Sequence, residues 1–184
     1  MRNKFLTLLK PQYLYNMPGS YDFYKEDVKK HLLNELSTDT KFLDVGPGYG
    51  TYGNLLKPEF LNVDAVEIWE KYIEQFNLKS IYKNVYVGDI LNFDFSNYDY
   101  LIIGDVLEHI SVDDAKQLVK KINTLNKKCL IAVPYMYPQG SHEGNVYETH
   151  LQPDLTHEVF MERYPSMLCL FKNDLYGYYV NYKF

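Results

Sequence analysis

The sequence predicts an α/β fold built on a mostly parallel sheet. Three observations carry that expectation. Short apolar runs alternate with helical periods, a glycine-rich loop follows the first run, and the last two runs flank a polar turn. Alternation of this kind lays helices on the faces of parallel strands, and a closing hairpin adds an antiparallel edge.

The elements follow in order. Residues 1–20 have no clean period and end in the turn-like Met17-Pro18-Gly19-Ser20, so they are expected to be a lid or a tail. From Tyr21 the period is helical, with Tyr24, Val28, Leu32 and Leu36 on one face. Phe42 to Val45 is a short strand stopped by glycines, and Leu61 to Glu67 is a second. A short helix follows with Ile68, Tyr72, Ile73 and Phe76 inward, then a third strand at Val85 to Val87. Tyr100 to Ile103 is apolar on both faces, as a covered parallel strand should be. Ser111 then reads as an N-cap, with Asp113 and Asp114 in the first turn. Ala115, Leu118, Val119, Ile122 and Leu125 form the stripe of that helix, and Cys129 to Val133 is a fifth strand. Pro134 to Pro153 shows no regular pattern, and a loop of that length in a small domain points to function. A helix near Thr156 to Tyr164 and two strands, Met167 to Phe171 and Tyr176 to Tyr182, complete the chain, with Lys172-Asn173-Asp174 as the hairpin turn.

Composition bounds the function. The 184 residues suit a single domain, 1–184, and no linker or repeat divides them. Apolar residues at 46% and charged residues at 23% argue against disorder. No apolar run reaches the roughly 20 residues of a membrane span, and the start lacks a cleavable leader pattern. Two cysteines, Cys129 and Cys169, suit a reducing, cytoplasmic setting. Arg2 and Arg163 are the only arginines, and the net charge is −5, so a nucleic-acid partner is disfavoured. The 19 tyrosines fit an AT-rich coding sequence, or else aromatic platforms for a polar ligand such as a sugar.

The decisive segment is LDVGPGYGTYG, Leu43 to Gly53, at the end of the first strand. Ligands of open α/β sheets bind at carboxyl strand ends, and glycines let backbone approach them. Gly48, Gly50 and Gly53 also fit the G-x-G-x-x-G spacing of dinucleotide sites. Three acids separate the readings. Asp44 stands just before the first glycine, where it would repel a pyrophosphate and attract an ammonium group. Glu67 closes the second strand, where a carboxylate accepts from two ribose hydroxyls. Asp89 closes the third and is placed to accept from an adenine amino group, with Ile68, Trp69 and Ile90 as apolar contacts. S-adenosylmethionine, cationic and free of phosphate, matches this set.

With these residues the chain resembles the class I S-adenosylmethionine-dependent methyltransferases from about residue 21 to 182. The family's acid-x-G-x-G-x-G motif falls on Asp44, Gly46, Gly48, Tyr49 and Gly50, its ribose acid on Glu67, and its adenine-side acid on Asp89. IIGDVLEHI looks like the fourth-strand motif, with Asp105 and Val106 beside the methionine end of the cofactor. The resemblance implies a Rossmann-like sheet of seven strands in the order 3-2-1-4-5-7-6, the seventh antiparallel, with helices on both faces. It also implies that the Pro134 to Pro153 loop shapes the acceptor pocket. The Asn/Asp-Pro-Pro-Tyr-like motif of base-methylating relatives is replaced here by Asp105-Val-Leu-Glu-His109, which disfavours nucleobases.

A hydroxyl acceptor needs a base, and two are available. His109 ends the fourth-strand motif, and His150 sits in the loop, where an extended Glu148-Thr-His150 would let Glu148 orient it. Histidines and acids together also admit a divalent ion, but the spacing matches no tight ligand motif, so no metal ligands are assigned. N-x-Y-E-x-H segments after the fifth strand are similar to those of small methyltransferases of polysaccharide assembly. That resemblance implies a sugar hydroxyl of a glycan or nucleotide sugar, with Tyr135, Tyr137 and Tyr147 as stacking faces, and allows that the chain is part of a larger glycan-modifying enzyme. The rivals are methyl transfer to a carboxylate, amine or quinone, a dehydrogenase, and a non-catalytic cofactor-binding module.

Overall fold

A computed structural model of the chain describes residues 20–184. The lid or tail expected of residues 1–20 lies outside them, Ser20 apart. The chain runs α1 (Lys25–Glu35), β1 (Phe42–Val45), α2 (Thr51–Leu56), β2 (Val63–Glu67), α3 (Glu70–Gln75), β3 (Val85–Val87) and β4 (Tyr100–Gly104). It continues with α4 (Val112–Thr124), β5 (Lys128–Pro134), α5 (His157–Arg163), β6 (Leu168–Lys172) and β7 (Tyr176–Val180). The strands form one seven-stranded sheet in the order β3-β2-β1-β4-β5-β7-β6. All pairs are parallel except β5 with β7 and β7 with β6. The order and the antiparallel strand are those the sequence implies.

The period of two along each strand divides the core into two layers. In β1, Leu43 and Val45 face a layer with Leu118, Val119 and Ile122 of α4 and Phe160 of α5. Phe42 faces the other, with Val28 and Leu32 of α1, Leu56 of α2 and Ile73 of α3. Asp44, two residues on, shares the Phe42 side. Burying both faces is what the apolar runs of β4 and β5 require.

Local chemistry sets the boundaries. Ser111 caps α4, its Oγ accepting from the Asp114 N–H at 3.2 Å. Thr156 caps α5 in the same way through the Val159 N–H. At the β6–β7 turn Asn173 Oδ1 accepts from the N–H groups of Leu175 and Tyr176. Three expectations shift. The second strand begins at Val63 rather than Leu61, because pairing with β1 starts where Phe42 meets Val63; Leu61 is 73% exposed. Leu125 does not belong to the buried stripe, since it is the C-cap of α4 and lies 40% exposed. The Pro134 to Pro153 segment is not structureless: it holds a bridge between His142 and Asn145 and a 3-10 turn at Val146–Glu148.

Among the described residues no helix is long and apolar enough to cross a membrane. Strand order reverses between β1 and β4, and the carboxyl ends that diverge there open the crevice described next.

Candidate active site

A cavity of about 310 Å³ lies at those strand ends. Gly46 and Gly48 after β1, Glu67 and Ile68 at the end of β2, and Asp89 and Ile90 after β3 line one part. Asp105, Val106 and His109 after β4 line another part, and Asn145, Tyr147 and Glu148 of the long loop also contribute. The glycine loop earns its glycines: Gly46, Gly48 and Gly50 have φ of 60°, 52° and 79°. A Cβ at Gly46 would stand 2.6 Å from Val106, closing the approach of β1 to the turn after β4.

The cavity wall has acids but no lysine or arginine among the described residues. Glu67, Asp89, Asp105, Asp114 and Glu148 all contribute. Glu67 is buried and accepts from the Trp69 N–H at 2.7 Å. Burial pushes its carboxyl up to about 7, against the Trp69 N–H and with help from Glu148. Asp89 accepts from the Leu91 N–H at 2.9 Å. Asp105 has φ of 53° and accepts from the Tyr176 hydroxyl at 2.6 Å. A wall rich in carboxylates and without a lysine or arginine, over a glycine loop, fits a cationic nucleoside with free hydroxyl and amino groups, and it would repel a pyrophosphate. S-adenosylmethionine therefore fits the residues present.

Not every expected contact reaches the cavity. Asp44 is buried beneath the glycine loop, off the wall, and accepts from the Tyr82 hydroxyl at 2.5 Å. Its place on the Phe42 face of β1 turns it toward the helix layer, where the charge of Lys25 acts on it. Tyr49 is likewise off the wall; it packs edge-on against Phe76 with ring centroids 4.4 Å apart. Gly50 is the N-cap of α2 and faces Ile81. Trp69 stands outside the cavity, edge-on to Tyr147.

Asp44 gives a pH prediction. Desolvation pushes its carboxyl up to about 7, opposed by the Tyr82 hydrogen bond and by Lys25. Folding therefore takes up a proton between the ordinary carboxyl range and about pH 7. The stability this adds is complete in acid and lost as pH rises from about 4 to 7. Glu67 adds a slope of the same sign. The D44N variant keeps an acceptor for Tyr82 and is expected to remove part of the slope, on the order of a few kcal/mol between pH 5 and 8. Urea denaturation at both pH values tests this, and an unchanged slope in D44N refutes it.

The acceptor side differs most from the sequence expectation. Glu148 ends a 3-10 turn, Val146–Glu148, and its carboxylate does not orient His150, whose Nδ1 faces the Tyr137 carbonyl. Glu148 instead receives the Gln139 side-chain N–H at 3.2 Å and that of Asn145 at 3.4 Å. His150 is buried off the cavity wall, with Nδ1 2.6 Å from the Tyr137 carbonyl oxygen. It packs edge-on against His109, with ring centroids 4.5 Å apart. His109 Nδ1 lies 3.3 Å from the Thr149 carbonyl oxygen, and burial with His150 beside it drives its imidazole down to about 4. The two candidate bases thus form one cluster rather than alternatives. Of the three tyrosines, Tyr147 lines the cavity, Tyr137 lies against His150, and Tyr135 is buried in contact with Tyr179.

Two residues escaped the sequence reading. Glu108 is 1% exposed and joins the histidine cluster. Gln152, also 1% exposed, ties the long loop to the turn after β4 by donating to the Leu107 and Ile110 carbonyls at 2.8 and 3.0 Å. The Leu151 and Gln152 N–H groups donate to the Glu108 carbonyl, reinforcing that tie. The neighbouring histidine could have flagged Glu108; no local signal marks Gln152.

Comparison with known proteins agrees with this geometry. A family model described as "Methyltransferase domain" matches residues 43–129, the span from β1 into β5. Among curated proteins, the ribosomal RNA small subunit methyltransferase A of Malacoplasma penetrans (strain HF-2) is 27% identical over 131 residues. That alignment covers 66% of this chain and 47% of the relative, so the chain spans about half the length of the curated relative it matches. Among solved structures, an S-adenosylmethionine-dependent methyltransferase from Clostridium acetobutylicum ATCC 824 superposes with a TM-score of 0.63 at 14% identity, covering 89% of this chain and 92% of the other. Magnesium protoporphyrin IX methyltransferase from Synechocystis PCC 6803, solved with bound SAH, gives 0.57 at 14% identity over 86% and 82%. At these identities the structural likeness speaks for the fold.

Proposed function

We propose that this chain, which carries a stretch matching a methyltransferase domain and has the class I fold, is an S-adenosylmethionine-dependent methyltransferase. The acceptor is a hydroxyl on a small polar molecule, a sugar hydroxyl of a glycan or nucleotide sugar. The observation that carries the reading is the composition of the wall. Glu67 and Asp89 are acceptors matched to a ribose and an adenine, and Asn145, Tyr147, Glu148, Ser111 and Asp114 add further polar groups to the same wall. A greasy acceptor would want an apolar mouth.

When bound, S-adenosylmethionine supplies a methyl group on a cationic sulfur, open to in-line displacement. In this reading Glu67 holds the ribose hydroxyls and Asp89 the adenine amino group, with Ile68 and Ile90 against the ring. Gly46 and Gly48 admit the chain of the amino-acid end, Val106 bounds it, and Asp105 answers its ammonium. Asp44 acts from behind, fixing the loop through Tyr82 rather than touching the ligand. On the acceptor side His109 reaches the cavity, with Glu108 and His150 behind it. Asn145 and Glu148 orient the acceptor's other hydroxyls by hydrogen bonds, the alignment on which displacement depends.

A second reading, RNA as acceptor, follows from the named activity of the Malacoplasma relative. The net charge of −5 and a cavity wall without lysine or arginine among the described residues weigh against it. Transfer of labelled methyl groups to fractionated glycans and nucleotide sugars, beside RNA and small carboxylates, amines and quinones, decides. Label in a base-stable ether of a sugar is the expected result. Label in RNA, an ester or an amine overturns the sugar reading, and label nowhere favours a binding module.

A further inference from the structure

We infer that Glu108, His109 and His150 form a binding site for one divalent transition-metal ion at the acceptor end of the cavity. Each side chain offers one ligand atom, and these atoms lie within 4.8 Å of one another. Glu108 and His109 belong to the 3-10 turn after β4, and His150 arrives from the loop after β5. The sequence spacing hides this triad because 40 residues separate His109 from Thr149, the neighbour of His150 whose carbonyl it faces.

Three independent features point to a cation. Glu108 is 1% exposed, and neither of its carboxylate oxygens has a hydrogen-bond partner on another described residue. An unpaired carboxylate in such a place is costly, and a bound cation removes that cost. Second, both histidines present Nδ1 to a backbone carbonyl, Tyr137 for His150 and Thr149 for His109. A carbonyl only accepts, so each Nδ1 carries the hydrogen and each neutral ring keeps its lone pair on Nε2. That is the arrangement a metal-bound histidine requires, with the outer N–H fixed by a carbonyl. Third, His150 Nε2 is buried without a hydrogen-bond partner among the described residues.

Donor chemistry selects the ion. Two imidazoles and one carboxylate suit Zn²⁺, Co²⁺, Fe²⁺ or Mn²⁺ better than Ca²⁺ or Mg²⁺, which prefer sets made of oxygens. Tetrahedral bonds of about 2.1 Å need donors about 3.4 Å apart, so the triad contracts slightly around an ion. Three protein ligands leave positions open, and His109 is the member that also lines the cavity. Those positions are where oxygens of an acceptor bind, their protons made acidic by the ion and released to solvent. This role rests on the proposed transfer to a hydroxyl; binding of the ion does not.

The test uses the full chain, stripped by a chelator and titrated with Co²⁺. Expected are one ion bound per chain, the visible absorption of a low-coordinate site, and its displacement by Zn²⁺. E108Q and H150Q should each weaken binding by about 100-fold or more, since loss of an outer partner alone costs about 10- to 100-fold. Absence of saturable one-to-one binding in the wild-type chain overturns the site, whether or not the variants fold. S-adenosylmethionine binding by the stripped protein is measured in parallel. A chain that binds S-adenosylmethionine but fails to bind Co²⁺ sinks the metal site alone; one that binds Co²⁺ but fails to bind S-adenosylmethionine sinks the functional reading alone.

Discussion

Replacing Glu67 with alanine is expected to weaken S-adenosylmethionine binding by about 100-fold while the protein stays folded. Two charge-assisted hydrogen bonds to ribose hydroxyls account for that loss, at about 1.5 kcal/mol or more each. Glu67 is suited to the task because β2 ends on it, the Trp69 N–H fixes one of its oxygens at 2.7 Å, and the cavity lies before it. The prediction has a pH signature. With the carboxyl pushed up to about 7 by burial, the ionised acceptor form is lost as pH falls through that value. Cofactor affinity should therefore rise from pH 6 to pH 8 in the wild-type chain and stay flat in E67Q. Calorimetric titration at the two pH values reads both effects. Equal affinity of wild type and E67A would remove Glu67 from the nucleoside site.

The second large effect is expected in stability, from Gln152→Leu. The Gln152 side chain spends all of its hydrogen-bonding capacity in a buried position. Its amide N–H groups donate to the Leu107 and Ile110 carbonyls, and its oxygen accepts from Arg163 at 3.2 Å and Tyr164 at 2.9 Å. Leucine fills the space but leaves the Ile110 carbonyl and the Tyr164 hydroxyl unpaired, at about 1–3 kcal/mol each, and the Leu107 carbonyl keeps only the Ile110 N–H. A loss of about 4 kcal/mol is expected in urea denaturation. The same change frees the loop from the turn after β4, so cleavage by a protease should concentrate between residues 134 and 153. A loss below about 1 kcal/mol would mean that water replaces the amide, and the pinning role would fail.

Much of the fold is legible in the sequence because its signals are local. The period of two in Phe42 to Val45 and the unbroken apolar run of Tyr100 to Ile103 each announce a strand from neighbouring residues alone. Ser111 and Thr156 announce helix starts through bonds spanning three residues. The cofactor-side residues Glu67, Ile68, Asp89 and Ile90 are legible for the same reason, since a strand end is a position in a local pattern. Even so, that reading errs by one layer at Asp44. It stands at the right place in the motif, but the pleat points it to Tyr82 and away from the cavity.

The acceptor side is where local pattern stops deciding. Whether Glu148 meets His150 depends on which partners hold each side chain: Gln139 and Asn145 donate to the Glu148 carboxylate, and the Tyr137 carbonyl faces the His150 ring. Whether Tyr49 faces the ligand depends on Phe76, a residue of another element. The meeting of Glu108 and His109 with His150 depends on Gln152, which bonds across 45 residues to Leu107. The sequence by itself determined the sheet, the glycine loop and the acids at successive strand ends, because periodicity and turn chemistry act between near neighbours. The tertiary structure alone decided which of those acids reach the cavity and that the two histidines share one buried cluster, because long-range hydrogen bonds fix a loop that carries no period of its own.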